Sequence, residues 1–600
     1  MTELSFSTPE ITARVREWTS ESADPALRAQ VQTLIDAGDV KELEERFYRT
    51  LAFGTGGLRG LVGAGTNRMN KVIVARATQG LANYVKEHAP SSPGAVPGPL
   101  RAAVTHDSRH FSREFAETAA CVLAANGIIC HISAELRPTP YLSFAVRHLG
   151  CHTGIVVTAS HNPKDYNGYK VYWNDGSQVV PPHDKGIISE VDRVTSDDLV
   201  KIMDYDQAVA QGMVKIMGKE MDEAYLQAIL LQRIDMNAVK ESKINVVFTP
   251  LHGCGGTLAI DALQRWGFTH ILPEEEQMKP DGDFPTAASP NPEEGAALSR
   301  AIELAKRNEA DVVLATDPDA DRLGIAVRHN GEYVLITGNQ LCCLLAEYIL
   351  SRRTAMGTLP KKPAMASTIV TTPLLGSIVR HYGALYEEVL TGFKWIANQA
   401  RTWHAADPEI AFLYGTEESY GFLIGNHAMD KDGIVASCLT AEAVAYYQSQ
   451  GKTLVSVLHD LYLRHEPRLE WQKSITMPGK DGAERIALLM NTLKNQPPTT
   501  LAGENITRRT RVDEGKVYHG QTGAELETLN LPKSDVVIFE LASGSKVIAR
   551  PSGTEPKIKF YFFFAGNTAA SLAEVQVILN GLAARKEEFQ GTVLKELGAV

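Results

Sequence analysis

Four short segments concentrate reactive side chains in a chain of 600 residues. Thr158-Ala159-Ser160-His161-Asn162-Pro163 follows the apolar run 154–157. Ligands of a parallel sheet meet the carboxyl ends of its strands, which puts Ser160 where a nucleophile is useful. A serine hydroxyl needs a base or a metal to activate it, and Pro163 keeps the loop from continuing as helix. Ser-His-Asn-Pro also fits an ordinary turn. Asp317-Pro318-Asp319-Ala320-Asp321-Arg322 follows the run 312–315. Its three carboxylates repel one another unless a hard cation such as Mg²⁺ takes their oxygens. A solvated acidic loop is the alternative, weakened by the apolar strand that leads into it; an EF-hand calcium pattern is absent. Gly415-Thr416-Glu417-Glu418-Ser419-Tyr420-Gly421 suits the vicinal hydroxyls of a sugar, or caps the next helix. Arg550-Pro551-Ser552-Gly553-Thr554-Glu555-Pro556-Lys557-Ile558-Lys559 offers a guanidinium, two hydroxyls and backbone N–H groups to a phosphate dianion. A plain β-turn is its bland reading.

The intervals Ser160–Asp317, Asp317–Glu417 and Glu417–Arg550 are 157, 100 and 133 residues, each about one domain long. A nucleophile, a metal loop, a hydroxyl reader and a phosphate cradle, one per domain, would converge on a central cleft. That division suits phosphoryl transfer on a phosphorylated sugar, where positioning and charge neutralisation dominate.

The elements that must position these loops share one pattern: a β-branched run, a Gly/Ser/Asp loop, then a helix-like segment. RAAVTHDSR, TGIVVTASHNP, INVVFTPLHGCGG, ADVVLATDPDADR and STIVTTPLLG all show it, and it indicates parallel α/β sheets. Residues 8–50 read as two or three amphipathic helices, with Thr8 as N-cap and Pro9 at the first helical position. The glycines of 54–65 break any regular element, and SSPGAVPGPL is a flexible insertion. The tail, from VVIFELASGSKVIARPSG onward, alternates strand and loop before a long helical pattern, which indicates a smaller antiparallel α+β unit. Joints near 238–243, 351–364 and 464–474 divide the chain into 1–240 (helices and the Ser160 loop), 241–355 (metal loop), 356–468 (sugar loop) and 469–600 (phosphate loop).

Composition excludes several classes. Lys+Arg 60 against Asp+Glu 71 gives a net charge of −11, a poor basis for binding nucleic acid or a membrane surface. Seven cysteines without a CxxC pair argue for reduced thiols in a cytoplasmic compartment. The first residues lack a signal-peptide core, and no run of 18 apolar residues occurs.

TASHNP, DPDADR, GTEESYG and RPSGTEPKIK stand in the order found in the α-D-phosphohexomutase superfamily, and from about residue 40 the chain resembles its phosphoglucomutase/phosphomannomutase branch. The resemblance implies three similar mixed α/β domains plus a C-terminal TATA-box-binding-protein-like α+β domain around a central cleft. It implies an isomerase, an intramolecular phosphotransferase that moves phosphate between the 1- and 6-positions of a sugar through a bisphosphate. Ser160 then matches the phosphoserine, and Asp317, Asp319 and Asp321 match the ligands of one Mg²⁺, with a phosphate oxygen on Ser160 completing the set. Glu417 and Ser419 match the sugar-hydroxyl readers; Arg550, Ser552, Gly553 and Thr554 match the cradle of the non-transferred phosphate. Arg59 resembles the basic residue near the serine, and Lys170 a general acid/base, which acts as base only if its pKa is depressed. Arg322 and Lys394 resemble further substrate contacts. For these last four, plain surface or interdomain charge is the competing reading. His161 divides between phosphate contact and loop support, and Asp430-Lys431-Asp432-Gly433 reads as scaffold.

Some members carry a His where Gly421 stands here, so that mannose-type contact is absent; Thr416 replaces a common Gly. With Thr391-Gly392-Phe393-Lys394-Trp395, the pattern looks nearer the glucose-type and pentose-tolerant members. The expected substrate is a small phosphosugar, glucose 1-phosphate, with glucose 1,6-bisphosphate as intermediate and activator. Phosphopentose and phosphomannose mutases are same-scaffold alternatives; a silent sugar-phosphate-binding protein and a phosphatase are the others. Turning the bisphosphate end for end implies hinge motion about 464–474. Oligomeric state, monomer or dimer, is not legible.

Overall fold

The computed structural model describes residues 5–54, 56–477, 479–552 and 557–599. They form two compact units, Met1–Arg328 with Gly421–Ala445 and His329–Tyr420 with Tyr446–Val600.

The first unit opens with three helices, Pro9–Thr19, Pro25–Asp36 and Val40–Phe47. Thr8 and Pro9 stand at the expected N-cap and first helical position, but the Thr8 side chain makes no capping bond. Asp24 and Asp39 do cap the next two helices, each satisfying amides that the helix start leaves open. Apolar residues at helical spacing, among them Ile11, Val15, Trp18, Leu43 and Phe47, close the three helices on one another.

The expectation that 54–65 breaks every regular element is corrected at its centre, where Gly57–Leu61 is a strand antiparallel to Tyr166–Trp173. Glycine permits this pairing: a Cβ on Gly57 would stand 1.8 Å from the Tyr169 carbonyl oxygen. The sheet continues through Thr153–Val157, Arg101–His106, Ile129–Ser133 and Val214–Met217, and these four run parallel. In the next sheet Ile271–Pro273, Val246–Thr249 and Val312–Thr316 are parallel, and Leu323–His329 returns antiparallel to the last of them. Every residue of Thr153–Val157 and of Val312–Thr316 is buried. Strands covered on both faces are rigid mounts for the loops that follow them.

In the second unit Leu385–Val389, Lys362–Thr368 and Ile410–Glu417 form a parallel sheet. Its last part is an antiparallel sheet in the order Arg468–Thr476, Lys557–Ala565, Lys546–Pro551, Val537–Leu541, Glu504–Arg511, Lys516–His519, Glu525–Thr528. Helices Gly479–Asn495 and Leu572–Glu596 pack on it, as the tail pattern indicates. Within the joint expected near 464–474, regular structure takes up most residues. Leu454–Arg464 is helix, and all nine residues of Arg468–Thr476 pair with Lys557–Ala565. Only 465–467 remain as connector. Ile538, Ile548, Tyr561 and Phe563 pack against Ile369, Val370 and Leu390 of the preceding part, so an apolar contact joins the two as well as the chain.

The chain therefore holds three α/β domains and a sheet-rich C-terminal domain. All seven cysteines are free and buried. Among the described residues no helix is long and apolar enough to cross a membrane.

Candidate active site

Ser160 begins the turn after its strand with φ 54°, a left-handed conformation that costs a non-glycine residue about 1–2 kcal/mol. Local bonds hold it there. Its N–H donates to Thr158 Oγ1 at 2.8 Å, and Arg109 Nη2 donates to its carbonyl at 2.6 Å. Arg109 also donates to the carbonyls of Asn162, Pro163 (2.8 Å) and Tyr166 (3.1 Å), so one guanidinium gathers the whole loop. Asp107 Oδ2, 3.3 Å from Arg109 Nε, balances that charge, and both side chains are fully buried. The RAAVTHDSR segment contains both residues, yet no local pattern announces a clamp reaching 51 residues onward.

Ser160 Oγ donates to Asp317 Oδ2 at 2.8 Å and lies 3.2 Å from His161 Nδ1. Ligand atoms of Asp317, Asp319 and Asp321 lie within 4.8 Å of one another, and all three residues are buried. Asp317 Oδ1 accepts the N–H groups of Asp321 and Arg322, each at 3.1 Å, which curls the loop around it. Asp319 Oδ2 accepts Lys170 Nζ at 2.8 Å and Thr139 Oγ1 at 2.9 Å. Asp321 Oδ2 faces Lys170 Nζ at 3.5 Å and Lys431 Nζ at 3.1 Å. Asp319 Oδ1 and Asp321 Oδ1 are buried without a hydrogen-bond partner. Orphaned hard oxygens crowded this closely fit a divalent cation such as Mg²⁺.

The electrostatics follow from this crowding. Burial, then the neighbouring Asp319 and Asp321, push the Asp317 carboxyl well above its ordinary range. Burial acts the same way on Asp319, but Lys170 and the hydrogen bonds it receives outweigh it and hold that carboxyl down. Burial disfavours the charge on Lys170, yet Asp319 and Asp321 prevail and raise its pKa. A general base at Lys170 needs a depressed pKa, whereas the carboxylates beside it act in the opposite direction and suit a proton donor.

In the segment Asp430–Gly433, read from the sequence as scaffold, Lys431 also reaches Asp321. Asp432 does have the structural role: Oδ1 accepts the N–H groups of Ile434 and Val435 at the start of a helix, and Oδ2 accepts the Tyr225 hydroxyl. Arg59 lies exposed on its edge strand opposite Gly168, close enough for its charge to act on Arg109. Arg322 Nη1 pairs with Glu293 Oε1 at 2.5 Å.

The second unit carries the other two loops. Glu417 ends the strand Ile410–Glu417, and its Oε1 accepts the Gly392 N–H at 2.8 Å. Glu418 Oε2 accepts Thr368 Oγ1 at 3.2 Å. Ser419 is half-buried in the following turn. Lys394, in the first turn of Phe393–Ala406, lies 5.7 Å from the Trp395 ring, which is the apolar neighbour that its sequence suggests. Arg550 is the penultimate residue of the strand Lys546–Pro551 and stands directly opposite Lys559, and opposed residues share a face of the sheet. Two cations side by side favour an anion between them. The Ser552 N–H donates to the Lys557 carbonyl at 2.7 Å, closing the base of the loop. Gly553 and Thr554 lie outside the described residues.

Models of the phosphoglucomutase/phosphomannomutase α/β/α domains I, II and III match residues 50–198, 223–331 and 337–465. A Schizosaccharomyces pombe protein named "Probable phosphoribomutase" is 35% identical over 568 residues, 92% of this chain and 94% of its own length. A phosphoglucomutase of Staphylococcus aureus is 35% identical over 524 residues, 87% of this chain and 90% of its own. The crystal structure of parafusin from Paramecium, a phosphoglucomutase in an open form, aligns with a TM-score of 0.63 at 19% identity, covering 91% of this chain and 96% of that one. With its motifs, its domain series and relatives matched nearly end to end, the chain belongs to the phosphoglucomutase/phosphomannomutase family of phosphosugar-isomerising enzymes in the α-D-phosphohexomutase superfamily.

Proposed function

We propose that the protein interconverts glucose 1-phosphate and glucose 6-phosphate, with Ser160 as the residue that donates and regains the phosphoryl group. The observation that carries this reading is the 2.8 Å bond between Ser160 Oγ and Asp317 within the carboxylate trio. Asp317, Asp319, Asp321 and the oxygen on Ser160 would hold Mg²⁺, which when bound supplies positive charge to the transferring group. In the forward step the free sugar hydroxyl attacks phosphorus, the Oγ–P bond breaks, the hydroxyl proton ends on the departing Ser160 Oγ, and glucose 1,6-bisphosphate forms. Lys170 and Lys431 offset negative charge beside the site. Glu417 and Ser419 read hydroxyls, and Arg550 with Ser552 and Lys559 receives the phosphate that stays. After the bisphosphate turns over, its other phosphate returns a phosphoryl group to Ser160.

A pentose 1-phosphate is the second reading, favoured by the fission-yeast relative's name at equal identity and wider coverage. Coupled assays comparing kcat/KM on glucose, mannose and pentose 1-phosphates, with and without bisphosphate, decide between the substrates. Ser160→Ala should fold normally, lose most turnover and lose the single added phosphoryl seen by intact mass; a near-normal rate would sink the mechanism. Phosphate release without isomerisation would instead mark a phosphatase.

A further inference from the structure

Thr139 opens the helix Thr139–His148 and reaches the metal loop 180 residues away. Its N–H donates to the Asp319 carbonyl at 2.9 Å, and its hydroxyl donates to Asp319 Oδ2 at 2.9 Å. Ser143 and Arg147 follow at intervals of four, on the same helix face. Ser143 Oγ accepts the Met429 N–H at 2.7 Å, and Arg147 donates to the carbonyls of Asn426 and His427. One polar stripe thus grips both the loop bearing Asp319 and the loop bearing Lys431.

The stripe bears on how each carboxylate divides its oxygens. Asp319 Oδ2 is filled by Thr139 and Lys170, and Asp321 Oδ2 faces Lys170 and Lys431, while among the described residues neither Oδ1 has a hydrogen-bond partner, Asp321 Oδ1 standing 4.0 Å from Arg322 Nε. Lys170 is a flexible point charge shared between two carboxylates; Thr139 is short, buried and tied at two atoms. We propose that Thr139 is a positioning residue for the cation site: it fixes the rotation of the Asp319 carboxylate so that Oδ1 is the oxygen left for the metal. This rests on the metal reading of the trio given above.

The test is direct cation binding by the full chain, as a Mn²⁺ titration followed by electron paramagnetic resonance. Thr139→Val keeps shape and N–H but removes the hydroxyl; it should raise the Mn²⁺ Kd about 10–100-fold, the usual cost of losing an outer hydrogen bond to a metal ligand. Thr139→Ser keeps the hydroxyl and should bind like the unsubstituted protein. If the valine variant does not fold, Thr139→Ala makes the same comparison. Unaltered Kd in the variants lacking the hydroxyl, or equal weakening in Thr139→Ser, overturns the role of Thr139 alone. Failure of the unsubstituted protein to bind Mn²⁺ overturns the metal reading itself, and the inference with it.

Discussion

Replacing Arg109 by Met removes the clamp on the Ser160 loop while preserving much of its volume. The largest loss is the ion pair with Asp107, both side chains being fully buried. Removing one partner of such a pair costs about 3–5 kcal/mol. Asp107 keeps two donors in the variant, the residue 109 N–H at 2.9 Å and Ser112 Oγ at 2.6 Å. Burial already pushes its carboxyl upward, so it can shed the charge by taking a proton; the lower end, about 3 kcal/mol, applies. Of the four carbonyls released, that of Ser160 belongs to a buried residue, whereas Asn162, Pro163 and Tyr166 are partly or fully exposed and can turn to water. The Ser160 carbonyl adds about 1 kcal/mol, for a sum near 4 kcal/mol. Urea denaturation followed by circular dichroism measures it in the first unfolding transition, and intact mass on the same samples reads phosphoryl occupancy of Ser160. Asp107→Asn combined with Arg109→Met should recover part of the loss, because the buried charge is gone. A loss below about 1 kcal/mol with normal turnover would show that the loop holds its left-handed turn unaided, and the reasoning would be wrong.

Two further outcomes are expected. Arg550→Ala should raise KM for the phosphosugar more than it lowers kcat, and Lys559→Ala should do the same more weakly; a fall in kcat at constant KM would place these cations elsewhere in the cycle. At Asp24 burial favours the neutral acid, but Lys71 at 2.5 Å and the N–H groups of Ala26 and Leu27 outweigh it and lower its pKa. A depressed carboxylate stabilises the fold above its unfolded value of about 3.9, and that contribution fades as pH falls through the folded value. Asp24→Asn, which keeps the cap, should therefore be less stable than the unsubstituted chain at pH 7, and the difference should shrink as pH falls below the unfolded carboxylate value. A pH-independent difference would refute the assignment.

Much of the site is legible in the sequence because its chemistry is contiguous. Three aspartates in five residues after an apolar run, or Arg-Pro-Ser-Gly between β-branched runs, carry their own argument. Arg109, Thr139 and Lys431 do not. Arg109 meets Ser160 across 51 residues and Thr139 meets Asp319 across 180, and only the packing of strand ends brings such pairs together. Two strands are hard to read for a common physical reason. Gly57–Leu61 looks like a breaker because glycine lacks intrinsic strand preference, yet close pairing with Tyr166–Trp173 overrides preference. Arg468–Thr476 looks like a linker because most of its side chains are polar, and indeed none is fully buried; one of its edges is nevertheless paired throughout.

The buried thiols give the molecule a property unrelated to its chemistry. Burial lifts Cys121 to about 11 and Cys151 to about 12, so at pH 7 only about one Cys121 in ten thousand is the nucleophilic thiolate. Alkylating reagents should leave the native chain almost untouched and mark it rapidly once it opens. Seven cysteines distributed from 121 to 438 thus amount to an internal clock for opening, readable by peptide mapping without any engineered label.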